Sequence, residues 1–201
     1  MKSNWRTVTL RDVVQINPSR PMTKGATVPF LAMDAIEPWR RQVAAWQERP
    51  FTGSGPRFKN GDTLVARITP CLENGKTVYA NFLPDGAVGN GSTELIVLSG
   101  IEGTTDNLFI YYLARSEDFR EFAIQRMEGT SGRQRVPAPA LRSYAFDLPP
   151  LPEQEAISAI LGALDDKIET SHRMNRTLEG LAQSLFTHTF PFTPEDELPE
   201  G

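Results

Sequence analysis

The sequence is poor in the side chains that most often carry metal or nucleophilic chemistry. Its 201 residues include one cysteine, Cys71, and two histidines, His172 and His188. A lone cysteine can form neither an internal disulfide nor a cysteine metal site, and is typical of a small buried apolar residue. Both histidines fall in one predicted helix, where we expect them to be solvated. The sequence therefore predicts no serine–histidine triad, no metal site and no cofactor.

Long hydrophobic runs are also missing. No stretch approaches the ~18 continuous apolar residues of a membrane span, and the opening MKSNWRTVTL has no apolar signal core. We therefore expect a cytoplasmic chain that does not contact a membrane. Hydrophobic residues still make up 39% of the sequence, which is enough for one folded domain plus an appendage.

Motifs for nucleotide binding and methylation are incomplete. NGKT at 74–77 mimics the end of a phosphate-binding loop, but Pro70 stands where that loop needs glycine. GNG at 89–91 lacks the later glycine of a dinucleotide loop and precedes a strand-like segment, so it is predicted to be a turn. Neither NPS at 17–19 nor DLPP at 147–150 matches the Pro-Pro-aromatic motif of amino-methyltransferases. The sequence does not predict a DNA-modifying enzyme.

Charge is divided unevenly along the chain. Residues 1–150 contain 18 Lys and Arg against 15 Asp and Glu, a net charge of +3, whereas residues 151–201 contain 3 against 10, a net charge of −7. Of the 18 basic residues, 14 are arginines, whose planar fork suits phosphate and guanine. A net charge of +3 is also ordinary for a protein surface, so charge alone leaves DNA binding open.

The first 148 residues predict a mixed α/β domain. An opening strand in WRTVTL and a short helix after it are followed by strands at 28–36, 62–68, 76–83 and 93–99, rich in β-branched and aromatic residues. A helix is predicted to begin at the N-cap Asp106, to break near Ser116 and to end at Gly129. A proline-rich connection at 136–152 leads to the last element.

A long helix is predicted over 149–188. Pro152 suits its first position, and Glu153 and Glu155 stabilise the positive end of its dipole. Steps of four and three place one seam toward a partner helix, at Ile157, Leu161, Leu164, Ile168, Ser171, Asn175, Leu178, Ala182 and Leu185. About 37 residues span ~55 Å at 1.5 Å each, more than the width of such a domain, which favours an intermolecular partner over packing on its own domain.

Two segments carry candidate DNA contacts. The loop GTSGRQRVP at 129–137 combines small residues with side chains that pair with base edges or phosphates, namely Ser131, Arg133, Gln134 and Arg135. The turn at 67–76 contributes Arg67, Asn74 and Lys76. The loop is also consistent with an ordinary surface loop, and ENG within the turn is also an ordinary hairpin signal.

Several segments also resemble motifs of the specificity subunits of type I restriction–modification systems. They are FKNGDTLVARITPCLENGKT (58–77), VGNGSTELIVL (88–98), MEGTSGRQRVP (127–137) and DLPPLPEQEAI (147–157), and they cover nearly the whole chain. The resemblance implies an α+β target-recognition domain with a twisted sheet, followed by a spacer helix that forms an antiparallel coiled-coil-like pair. It implies a non-catalytic subunit that binds double-stranded DNA and directs adenine methylation by methyltransferase subunits. Restriction subunits would join through those subunits.

Members of that family usually carry two recognition domains and two spacer helices, about twice this length. The resemblance divides this chain into a recognition domain at 1–148, a spacer helix at 149–188 and a linker or tail at 189–201. A natural half-subunit and a part of a longer chain both fit. We predict that two copies pair through their helices and read a palindromic interrupted site. The alternative is an assembly module that docks methyltransferase subunits without binding DNA.

Overall fold

The computed structural model describes residues 4–43 and 45–190, so the predicted linker or tail at 189–201 lies almost entirely outside the described residues. Contacts divide the chain into two units, Met1–Ile160 and Leu161–Gly201. The elements in chain order are β1 (Arg6–Thr9), α1 (Leu10–Val13), β2 (Val14–Ile16), β3 (Thr27–Leu31), β4 (Gln47–Pro50), β5 (Arg57–Phe58), β6 (Thr63–Ala66), β7 (Thr77–Tyr79), β8 (Gly89–Gly91), β9 (Leu95–Gly100), α2 (Asn107–Arg115), α3 (Glu117–Ile124), a 3-10 helix (Ala138–Ser143), β10 (Ala145–Leu148) and α4 (Leu151–Thr189). The predicted α+β class with a long final helix is confirmed.

The centre of the first unit is an antiparallel sheet with the strand order β2-β9-β6-β7. Successive side chains of a strand point to opposite faces of a sheet, and nearly all those of the central strands β6 and β9 are buried. Val65 of β6 belongs to a hydrophobic cluster with Phe109 and Phe119 of the helices α2 and α3. Its neighbour Leu64 belongs to a second cluster with Phe58. Helices therefore cover one face and a second sheet covers the other.

The second sheet has the order β4-β3-β8-β5, with β3 and β8 parallel and the other pairs antiparallel. Its strand β8 is the segment Gly89-Asn90-Gly91, so the predicted turn is wrong. A Cβ on Gly89 would lie 2.6 Å from the ring of Phe58. Glycine is needed at position 89 because the ring of Phe58 lies so close to the backbone that a side chain would not fit.

The predicted break in the helical region is confirmed at Ser116, which ends α2 and begins α3. The Ser116 hydroxyl donates to the carbonyl of Leu113 at 2.8 Å and accepts from the amide of Phe119 at 3.3 Å. Asp106 is the N-cap of α2, as predicted, since its Oδ1 accepts from the amide of Phe109 at 2.8 Å. The helix α3 ends at Ile124, before the predicted stop at Gly129.

The helix α4 begins in the first unit, where a buried amide fixes its first turn. Gln154 is fully buried, and its Nε2 donates to the carbonyls of Thr104 at 3.1 Å and Pro149 at 2.9 Å. Its Oε1 accepts from the amide of Asp106 at 2.9 Å. Ile157, which we predicted to be part of the helix-pairing seam, packs against the core of the first unit.

Beyond that start, α4 exposes large apolar side chains. Leu164, Ile168, Leu178 and Leu185 of the predicted seam are between 50% and 66% exposed. Met174 and Leu181, which the predicted seam omits, are 57% and 56% exposed. Within residues 4–43 and 45–190, no helix is both long enough and apolar enough to span a bilayer.

Candidate nucleic-acid interface

The structure brings the two candidate segments of the sequence together. The amide of Thr69 donates to the carbonyl of Gln134 at 3.0 Å, and the amide of Val136 donates to the carbonyl of Arg67 at 2.9 Å. Ile68 and Arg135 form an isolated antiparallel bridge. Because these bonds join backbone to backbone, the segment after β6 and the loop after α3 form one surface.

The loop itself is closed as a small hairpin. Glu128 and Arg135 exchange both backbone hydrogen bonds, at 3.0 and 2.8 Å. The amide of Arg133 donates to the carbonyl of Thr130 at 3.0 Å, which tightens the end of the hairpin. Gly132 has a φ of +79°, a left-handed conformation that glycine adopts without steric cost. Ser131 and Arg133 are consequently exposed at the tip.

Arg135 is held by an acidic side chain from the sheet. Its Nε lies 3.0 and 2.9 Å from the two oxygens of Glu94, and its Nη2 lies 2.7 Å from Oε1. Hydrogen bonding to Glu94 raises the pKa of Arg135. With its charge compensated and its fork occupied, Arg135 is better suited to fix the hairpin than to read a base.

Arg67 lines an open cleft of about 410 Å³ beside this hairpin. The cleft is also lined by Asn17, Ser19, Arg57 and Thr93, which come from three other parts of the chain. The Nε of Arg67 is buried, and no described residue accepts a hydrogen bond from it. Sequence reasoning found Arg67 but missed the other four, because they lie in loops or short strands without a motif.

Asn74 and Lys76 are placed differently. Asn74 is exposed in the turn after the cis Thr69–Pro70 bond, and its amide donates to the carbonyl of Pro70 at 2.9 Å. The Nζ of Lys76 donates to the carbonyl of Met33 at 3.0 Å, so the structure ties Lys76 to the segment after β3 and not to the hairpin. Their roles in DNA binding stay predictions.

An exposed tryptophan that sequence reasoning missed lies against the same turn. Trp39 is 47% exposed, and its amide donates to the carbonyl of Gly75 at 3.3 Å. The guanidinium of Arg120 lies 4.8 Å from the centre of its ring. An aromatic ring beside arginine can stack on a base. Trp39 was missed because its segment carries no periodic signal in the sequence.

The residues that the structure describes include no group of three or more His, Cys, Asp and Glu side chains placed to hold a metal ion. The surface around the hairpin instead offers arginine, amide and hydroxyl groups. These are the side chains that hydrogen-bond to phosphate oxygens and base edges.

Comparison with known proteins identifies the family. The family described as "Type I restriction modification DNA specificity domain" matches residues 2–180. The chain belongs to this family. Among the specificity subunits of curated type I restriction enzymes, those named EcoEI and EcoAI, both from Escherichia coli, are 30% and 28% identical to it over 165 residues. The HindI specificity subunit from Haemophilus influenzae is 30% identical over 134 residues.

Solved specificity subunits share the fold. The HsdS subunit from Thermoanaerobacter tengcongensis aligns over the whole chain with a TM-score of 0.66 and 22% identity. The S subunit from M. genitalium aligns over 92% of the chain with a TM-score of 0.53 and 20% identity. At this identity the likeness concerns architecture only.

The chain is shorter than these specificity subunits. The EcoEI and EcoAI matches cover 78% of this chain but 27% of each relative. The HsdS subunit from T. tengcongensis is covered over 55% of its length. This chain therefore corresponds to about half of that solved chain.

Proposed function

We propose that the first unit is a target-recognition domain that binds double-stranded DNA in a sequence-specific way, and that the chain itself is non-catalytic. The observation that carries this proposal is the convergence of the hairpin 128–135 and the segment at Arg67 on one surface. Membership of a family of DNA specificity domains supports it. The proposal assigns this surface to the DNA interface.

The tip of the hairpin is suited to read bases. Ser131 and Arg133 are exposed, and Gln134 is half-buried. The side chain of Arg133 makes no hydrogen bond or ion pair with a described residue. Arginine pairs with the guanine edge and glutamine with the adenine edge in the major groove. Arg135 and Glu94 stiffen the base of the hairpin, which lowers the entropy lost on binding.

A second copy of the chain is the proposed partner of α4. In an antiparallel pair of identical helices centred on residue 173, Ile168 would face Leu178 and Leu161 would face Leu185. The same register places Ser171 opposite Asn175, so the polar centre of the seam meets itself. A polar pair of this kind sets register and alignment at some cost in stability. Two recognition domains related by a two-fold axis would read inverted half-sites separated by a fixed gap.

The same assembly would recruit the catalytic subunits. We propose that methyltransferase subunits dock on the paired helices and methylate adenine at the bound site, with restriction subunits joining through them. The exposed Met174 and Leu181 lie beside the self-pairing seam and widen the apolar face of α4. A face wider than one seam can contact more than one helix.

The test of DNA recognition uses the complete chain and a fluorescent duplex. Replacing Arg133 and Gln134 by alanine should weaken binding and change which sequences are preferred, because the tip side chains supply the base contacts. Arg11→Ala, at an exposed arginine distant in sequence from both segments, is the control. Unchanged affinity and unchanged sequence preference in the tip variant would contradict the assignment. If the wild type shows no salt-dependent binding to duplex DNA, the assembly-module alternative replaces recognition.

A further inference from the structure

The polar side chains that line the cleft at Arg67 can all donate hydrogen bonds. Its polar side chains are Asn17, Ser19, Arg57, Arg67 and Thr93, and no carboxylate is among the lining residues. The remaining lining residues are Pro18, Gly55, Pro56 and Leu95. Amide, hydroxyl and guanidinium groups can all donate hydrogen bonds, so the cleft is prepared for a ligand that accepts them.

The orientation of Asn17 is fixed so that its donor remains available. Its Oδ1 accepts from the amide of Val97 at 2.8 Å, and its own amide donates to the carbonyl of Val97 at 2.8 Å. The backbone is held at a φ of 51°, in the left-handed region that asparagine tolerates better than most residues. With the carbonyl oxygen occupied, the side-chain NH₂ group is the part left to bind a ligand.

The two arginines of the cleft carry uncompensated charge. The Nη1 of Arg57 donates to the carbonyl of Arg20, and its guanidinium lies 5.1 Å from the ring centre of Phe51. Arg20 itself is neutralised by the buried Asp62 at 2.6 Å. Among the described residues, no carboxylate pairs with Arg57 or Arg67, and the buried Nε of Arg67 lacks an acceptor. Two uncompensated guanidinium charges favour a ligand that carries negative charge.

We propose that this cleft binds a phosphodiester group of the DNA backbone. Arg67 and Arg57 would hold the group, and Ser19 and the side-chain NH₂ of Asn17 would orient it. The inference rests on the DNA-binding function proposed above and assigns a separate role within it. Two positive charges and a lining of donors fit an anion better than a neutral base. The phosphate contact would fix the register of the duplex while the hairpin tip reads its sequence.

The placement of Arg67 supports this division of work. Its carbonyl accepts from the amide of Val136, and its amide donates to the carbonyl of Glu94 at 3.0 Å. Glu94 is also the side chain that holds Arg135. The cleft and the base of the hairpin therefore share the same short stretch of backbone, so a phosphate anchored in the cleft is coupled to the position of the hairpin.

The test measures binding of the complete chain to short duplexes of several sequences over a salt series. Arg67→Met should weaken binding roughly tenfold, as expected for loss of a hydrogen bond to a charged group, and should lower the salt slope by about one unit. The loss should be the same for every duplex, since a phosphate contact carries no sequence information. Arg67→Lys keeps the charge and should retain the salt slope. Arg6→Met, which removes an exposed charge on β1, should bind as the wild type does.

A second pair of variants keeps the test decisive if Arg67→Met fails to fold. Ser19 is exposed at the cleft, so Ser19→Glu adds a carboxylate there without disturbing the core, and Ser19→Gln is its neutral match. Both variants remove the Ser19 hydroxyl, so the comparison isolates the effect of charge, and Ser19→Glu should bind DNA at least tenfold more weakly than Ser19→Gln. If both Arg67→Met and Ser19→Glu bind as the wild type does, the cleft is not a phosphate site, although DNA recognition stands. If Arg67→Lys is as weak as Arg67→Met and the loss depends on sequence, the cleft reads a base instead. If the wild type does not bind duplex DNA at low salt, both the cleft and the proposed function fail.

Discussion

Arg135 and Glu94 form a bidentate ion pair, with Nε and Nη2 of the guanidinium 2.9 and 2.7 Å from the carboxylate oxygens. The two residues are 41 positions apart in sequence. Glu94 directly precedes β9, a strand that is buried on both faces. The pair therefore joins the hairpin 128–135 to this strand. The proposed recognition loop is thereby fixed to a buried strand of the central sheet, which is the arrangement that precise binding requires.

Glu94→Gln tests whether this pair positions the hairpin. The variant removes a negative charge near DNA, which by itself would strengthen binding. We expect weaker binding instead, by about threefold, because the hairpin loses the partner that holds it. The pair is partly exposed, so the free energy of unfolding should change by less than about 1 kcal/mol. Fluorescence anisotropy and urea unfolding measure the two effects. Tighter binding by Glu94→Gln would show that the pair has no positioning role.

Gln154→Leu tests whether the buried amide of Gln154 fixes the first turn of α4. The substitution keeps the volume but leaves the amide of Asp106 and the carbonyls of Thr104 and Pro149 without their partner. We expect a loss of about 2–3 kcal/mol in the free energy of unfolding, because these groups are desolvated. Glu155→Ala, at the exposed next position, should change stability by less than about 0.5 kcal/mol. Equal free energies of unfolding for the two variants in urea would show that the hydrogen bonds of Gln154 do not stabilise the first turn of α4.

Gly75→Ala tests the contact between the turn and Trp39. A Cβ there would lie 2.7 Å from the tryptophan ring, and the φ of Gly75 is +73°. Gly86, with a φ of +71° and nothing within 4 Å of an added Cβ, is a matched control. Gly86→Ala should cost about 1–2 kcal/mol through the left-handed backbone alone. Gly75→Ala should cost about 1–3 kcal/mol more through crowding. Identical thermal shifts would mean that Trp39 does not pack against this turn in solution.

Polar substitution of Leu164, Ile168 and Leu178 tests the self-pairing of α4. Each side chain is at least 50% exposed, so the change should leave the first unit folded while abolishing the dimer. Arg173, Thr177 and Ser184 lie on the other side of a helix with 3.6 residues per turn, and their replacement by glutamine should leave the dimer intact. Sedimentation velocity at micromolar concentrations measures the mass. A monomeric wild type would contradict pairing between two copies and leave α4 to a different partner.

The sequence predicted the elements whose signal is local. β6 and β9 are continuous apolar and β-branched runs because both of their faces are buried. The helix break was visible because Ser116 supplies a capping hydroxyl at the right place. The strands β2, β4, β5, β8 and β10 were missed, since they are short, polar or glycine-rich and owe their structure to partners far away in the chain.

The candidate site was predictable only in part for the same reason. Residue types pointed to the hairpin and to Arg67, but their contact depends on backbone bonds such as the one from Thr69 to Gln134, 65 positions apart. Nothing in the sequence around Glu94 indicated that it would hold Arg135. The cleft joins loops from separate regions, so its donor lining emerges only when the chain is folded.

Selection from randomised duplexes tests whether this chain recognises a DNA sequence. The complete chain is incubated with a pool of random DNA, the bound fraction is amplified over several rounds, and the recovered sequences are determined. We predict an enriched motif made of two inverted half-sites at a fixed separation, and loss of that motif when Arg133 and Gln134 are replaced by alanine. Recovered sequences indistinguishable from the starting pool would contradict sequence-specific recognition by this chain.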